Sequence, residues 1–184
     1  MSRLLDKILK PQRLRIVCNG HPALRRVSSP ITVVDDEIRQ LAARMIVTMQ
    51  ENEVVGVGLA APQVGVNLRL IVIDTYFDDE ESKTAMSAGE ILLNPRMPLA
   101  LVNPEIISYS EEKCSSEEGC LSLPEIHGDV ERPARVMLSA STLEGEKIMV
   151  ECGSLLARCL QHEIDHLNGV LFYDKLSEKE QKIA

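Results

Sequence analysis

The chain has 184 residues, 45% of them hydrophobic and 26% charged, with a formal net charge of −8. That is enough apolar content for one core in a single domain spanning residues 1–184, and it is not the composition of a disordered chain. The acidic balance argues against tight, sequence-independent binding to nucleic acid, and no apolar run approaches the ~20 residues of a membrane span.

The opening "MSRLLDKILK" lacks the apolar core and cleavage pattern of a signal peptide. It carries Asp6 and is not Arg-rich, so it does not read as an organelle transit sequence either. A reducing cytoplasm is expected. The five cysteines, Cys18, Cys114, Cys120, Cys152 and Cys159, then read as free thiols, most of them small buried hydrophobes.

Pro11, Pro22 and Pro30 make the first 34 residues extended or turning. "DDEIRQLAARMIVTMQEN" follows as a helix, with Ile38, Leu41, Ala42, Met45, Ile46 and Met49 on one face. Asp35 or Asp36 is its expected N-cap. "GVGLAAPQVG" at 56–65 reads as a glycine-punctuated loop and "LRLIVID" as a strand buried on both faces. An acidic loop runs from Thr75 to about Glu90. "ILLNP", "VNPEII" and "RVMLSAS" read as strands, with a hairpin turn around Gly145. A helix is expected from about Ser154, as N-cap, to Leu167, with Asn168-Gly169 as the stop, and a short terminal helix from Ser177. This is an α+β pattern: mixed or antiparallel sheets packed around a central helix in the C-terminal half.

That helix carries "QHEIDH" at 161–166. Residues four apart lie on one helical face, so His162 and His166 can direct ring nitrogens at one metal ion. Glu163 sits about 100° round the helix from His162, placed to take a proton from water at the ion rather than to bind it. Leu155, Cys159 and Ile164 nearby indicate that the histidines face inward. No histidine follows His166, so a third ligand should come from upstream, where "EEGCLSLPE" offers Cys120 in a polar, turn-like setting. A metal-dependent endopeptidase is one rival reading. A structural metal module with Cys114 or Cys159 as fourth ligand is another.

"GVGLAAPQ" at 56–63, "EGCLS" at 118–122 and "QHEIDH" at 161–166 together resemble the peptide deformylase family, in the family's order and over almost the whole chain. The resemblance implies one catalytic domain that removes the formyl group from the N-terminal formylmethionine of newly made proteins, releasing formate. By that resemblance Cys120, His162 and His166 would hold one divalent ion. Fe2+ is expected, with Zn2+, Ni2+ or Co2+ as substitutes. Glu163 would be the general acid and base. The Gln63 amide and the Leu121 backbone N–H would donate to the oxyanion. Val57, Gly58 and Leu155 would meet the substrate, and Glu118 with Arg132 would form a supporting ion pair. Its partners would be nascent N-formylmethionyl peptides, with transient proximity to the ribosome. Arg158 departs from many relatives, which have an apolar residue there beside the methionine pocket.

Overall fold

The first helix is set by its cap. Asp35 accepts a hydrogen bond from the Ile38 backbone N–H (3.0 Å), and helix α1 runs Asp36–Gln50 with Asp36 and Glu37 in its first turn, where the helix dipole favours negative charge. A computed structural model describes residues 11–52, 56–76, 86–176 and 181. The opening decapeptide, most of the acidic loop and the terminal helix expected from Ser177 lie outside the described residues.

Seven strands follow among the described residues: β1 (Gly58–Ala60), β2 (Leu70–Ile73), β3 (Leu99–Tyr109), β4 (Lys113–Cys120), β5 (Leu123–Pro133), β6 (Val136–Ser141) and β7 (Lys147–Cys152). Five make one antiparallel sheet in the order β1-β2-β3-β6-β7, and β4 pairs with β5 in a separate antiparallel hairpin. Helix α3 (Ser154–Leu167) packs on one face of the sheet, joining Ile71, Ile73, Leu101 and Leu138 in one core. Helix α1 covers the other face through Leu59, Leu70, Val72 and Val102. Alternate residues of β2 thus enter different cores, so all four of its side chains are buried. That is why "LIVI" at 70–73 is apolar throughout.

Four local readings need correction. "ILLNP" is not a strand: Ala88–Leu93 form helix α2, and Asn94–Arg96 a 3-10 turn. Ser87 and Glu90 make a reciprocal capping box there, and Ile91 and Leu92 are exposed, leaving Leu93 as the buried anchor. "GVGLAAPQVG" is more ordered than a loop, supplying β1 and a 3-10 helix over Ala61–Val64. Gly153, not Ser154, is the N-cap of α3; Ser154 has a φ of +50°, and the Gly153 N–H donates to Ser87 Oγ (3.0 Å). Cys120 ends a strand rather than sitting in a free turn, although the β4–β5 register shifts between Gly119 and Cys120.

The expected stop after Leu167 is present. Gly169 adopts a left-handed φ of +75°. Its N–H donates to His166 O (3.1 Å), and the Val170 N–H donates to Asp165 O (2.9 Å), which is a Schellman closure. A Cβ on Gly169 would also meet the Arg25 carbonyl oxygen at 2.7 Å.

Candidate metal centre and active site

Helix α3 presents His162 and His166 on one side, with ring centroids 5.0 Å apart. The end of β4 brings Cys120 to them. The ligand atoms of Cys120, His162 and His166 all lie within 4.8 Å of one another, and Cys120 Sγ is 3.3 Å from His166 Nε2. His162 Nδ1 lies 2.9 Å from Glu118 Oε2, which leaves its Nε2 for the cluster. The His162 ring also stacks on Phe172, with centroids 5.9 Å apart.

The electrostatics suit a cation. Burial pushes the His166 imidazole well below its ordinary range, so it is neutral and able to ligate. Burial also disfavours charge on His162, yet hydrogen bonds to Cys120 and Glu118 and the charge of Glu163 outweigh it and raise that ring to about 10. The surroundings of His162 therefore favour positive charge, and a divalent ion supplies that charge in place of a proton. One soft sulfur and two imidazoles fit zinc, iron, cobalt or nickel. Neither rival ligand joins them among the described residues: Cys159 is buried, its thiol pushed up by desolvation, and donates to Val57 O (3.3 Å), while Cys114 is exposed.

Glu163 lies on the adjoining side of α3 and is 4% exposed. Its Oε2 has no hydrogen-bond partner among the described residues. Desolvation raises its carboxyl to about 7, with the charge of His162 pulling the other way. A carboxyl balanced near neutrality can both take and return a proton. Gly58 makes room for it: a Cβ there would meet Glu163 Oε1 at 2.5 Å and Cys159 Sγ at 2.8 Å.

Gln63 sits in the 3-10 helix after β1 and is 2% exposed. Its Oε1 accepts from the Ala60 N–H (2.8 Å), which fixes the amide so that Nε2 points to Cys120 Sγ (3.3 Å). The N-terminal segment ties this loop to the hairpin: the Val17 N–H donates to Gln63 O (2.8 Å) and the Asn19 N–H to Ser122 O (2.9 Å). Leu121, between β4 and β5, lies on the same cleft.

That cleft has a volume of about 770 Å³ and is lined by every substrate-facing residue expected from sequence: Val57, Gly58, Gln63, Leu121, Leu155 and Glu163. Leu155 differs in one respect. It is 40% exposed and faces the cleft, so it is no marker of an inward-facing helix side; Cys159 and Ile164 are.

Glu118 and Arg132 are paired, Nε to Oε1 at 2.6 Å and Nη2 to Oε2 at 2.9 Å, and both are buried. Burial alone would raise the Glu118 carboxyl, but bonds from Arg132 and His162 hold it well below the usual range. Arg132 also reaches Asp165 Oδ2 (2.7 Å), and Arg158 reaches Glu118 Oε1 (2.6 Å). Sequence reasoning missed these two contacts. The signal for the first was spacing: Asp165 lies three residues after His162 on the same helix. For Arg158, the signal was a charged residue one turn before a ligating histidine, which calls for a carboxylate partner.

The family model of polypeptide deformylase matches residues 13–182. Peptide deformylase 2 of Gloeobacter violaceus is 44% identical over 174 residues, covering 95% of this chain and 84% of its own. A peptide deformylase of Rhizobium meliloti is 45% identical, covering 85% and 81%. Among solved structures, the peptide deformylase of Synechococcus elongatus in complex with actinonin superposes with a TM-score of 0.79 at 38% identity, covering 96% and 85%. That of Ehrlichia chaffeensis gives 0.81 at 35% identity, covering 94% and 92%.

Proposed function

Because the chain belongs to the polypeptide deformylase family of metal-dependent hydrolases, we propose that it takes the formyl group from N-formylmethionyl peptides by the residues described above. The observation that carries this reading is the buried, unpartnered Oε2 of Glu163 in a cleft shared with the Cys120, His162 and His166 cluster and the fixed Gln63 amide.

Cys120, His162 and His166 would hold one divalent ion, ferrous iron in our reading, with zinc, nickel or cobalt as substitutes. When bound, the ion supplies Lewis acidity to the formyl carbonyl and acidifies water. Glu163 takes a proton from the attacking water and returns it to the departing amine nitrogen. The Gln63 Nε2–H and the Leu121 backbone N–H donate to the carbonyl oxygen as its charge grows. Val57 and Leu155 contact the methionine side chain, and the Gly58 backbone meets the peptide. Glu118 and Arg132 hold the His162 ring. A formyl carbon carries only hydrogen, so a tight site excludes ordinary peptide bonds by size.

The chain acts as one catalytic domain, with α3 as its central strut. Among the described residues no helix is long and apolar enough to cross a membrane. We place the protein in the cytoplasm, meeting nascent chains in transient proximity to the ribosome without binding nucleic acid tightly. The test is formate release from a formyl-methionyl tripeptide set beside its unformylated twin. Formate from the first and an untouched second are expected. Cleavage of the peptide bond in either would make the protein an endopeptidase instead.

A further inference from the structure

Arg158 has no role in the chemistry outlined above, yet it joins the two parts of the structure that carry the candidate ligands, rooted on α3 with its guanidinium against the β4–β5 hairpin. It rises from α3 one turn before His162, and its side chain is 11% exposed. Nη1 donates to Glu118 Oε1 (2.6 Å) and to the Val130 carbonyl on β5 (2.9 Å). Nη2 donates to the Cys114 carbonyl on β4 (2.8 Å). Cys120 stands at the end of that same β4 strand, and Glu118 in turn meets His162 Nδ1.

Among the described residues, and apart from the Cys120–His166 contact itself, the other hydrogen bonds between the hairpin and the helix are few: Arg132 to Asp165, His162 to Glu118 and Gln161 to the Pro133 carbonyl. β4 offers one buried side chain, Glu118. Among the described residues the separate hairpin shares no ladder with the five-stranded sheet. Its position relative to α3 is therefore set by polar contacts on Glu118 and Arg132, by the Gln161 amide donating to the Pro133 carbonyl (2.9 Å) and by the small core around Phe172. Arg158 adds three charge-assisted hydrogen bonds across that seam, in fork geometry that lysine cannot reproduce.

We propose that Arg158 is a positioning residue that fixes the β4–β5 hairpin against α3 and so sets the distance between Cys120 and the two histidines. It also anchors Glu118, which keeps the His162 ring turned to present Nε2. The inference rests on the metal-site reading given under Proposed function. Its consequence lies in how firmly an ion is held. Outer partners of metal-ligating side chains typically contribute about 10–100-fold in affinity.

The experiment uses the full chain loaded with Co2+, whose thiolate charge-transfer band reports on the Cys120 bond. Three proteins are compared: the parent, Arg158→Met, which keeps an apolar stem over the cleft wall, and Arg158→Lys. Glu118 keeps Arg132 in both variants, so folding is expected. Transfer of Co2+ to excess chelator should be about 10-fold faster or more in Arg158→Met, with a shifted charge-transfer band. Arg158→Lys should restore only part of this, since one ammonium cannot span the three acceptors. The melting temperature of the metal-free protein separates this role from plain structural support. A drop there with an unchanged Co2+ band and transfer within twofold of the parent overturns the proposal. If Arg158→Met does not fold, the same criteria apply to Arg158→Lys. A parent that shows no thiolate band overturns the metal-site reading, and this proposal with it.

Discussion

Glu163 and Gln63 share one cleft but are held in opposite ways. Gln63 is fixed at its oxygen by the Ala60 N–H, so only its nitrogen is free to serve. Glu163 has a buried oxygen with no hydrogen-bond partner among the described residues. Leaving such a group unpaired costs stability, which is expected where a proton must come and go. Glu163→Gln should keep the metal, because Glu163 is no ligand in this account, while turnover falls by at least about 10²–10⁴-fold. Elemental analysis of the variant beside its kinetics checks both halves; metal loss would make Glu163 a ligand. Gln63→Leu should lower kcat by about 10²–10³-fold with a smaller change in KM, since the oxyanion exists only in the transition state. A raised KM at constant kcat would show that Gln63 merely packs the loop.

The elements that place these residues differ in how openly the sequence announces them. Helix α1 was legible because its apolar period and acidic cap agree, and β2 because its continuous apolar run suggests burial on both faces. Strands β4 and β5 were hidden. "KCSSEEGC" buries only Glu118, so no apolar alternation marks it, although the segment it pairs with, β5, follows directly in the chain. Helix α2 was misread because an apolar triplet outweighed the Ser87–Glu90 box that precedes it. Ser87 does more than cap α2, since its Oγ also accepts from the Gly153 N–H at the start of α3. Ser87→Ala should therefore cost about 1–2 kcal/mol, more than an exposed cap, because a buried N–H loses its partner. Thermal denaturation should show a Tm lower by roughly 3–6 °C with activity per folded molecule unchanged. No change in Tm would mean that the two helices are joined by packing alone.

At the scale of the whole molecule, the candidate ligands come from two units with separate hydrogen-bond ladders, the β4–β5 hairpin and α3 against the five-stranded sheet. The ligand residue types were readable from two short motifs. Their convergence was expected from the resemblance, but not the contacts of Arg158 with Glu118 and of Arg132 with Asp165 that tie helix to hairpin, because those partners lie 40 and 33 residues apart in sequence. An ion that joins the two units binds only the folded chain, and at 100 times its dissociation constant it adds about 2.7 kcal/mol. Chelator should thus lower the melting temperature of the parent and leave that of Cys120→Ser, measured in the same way, nearly unchanged. Equal sensitivity in both would place the ion elsewhere. The central claim is narrower still: one ion, one sulfur, two imidazoles and a position open to substrate. X-ray absorption at the metal edge of the zinc-loaded protein reads this directly. The account requires one sulfur at about 2.3 Å and two imidazole nitrogens at about 2.0–2.1 Å, with the remaining ligand a light atom. A shell with two sulfurs, or with none, would contradict it.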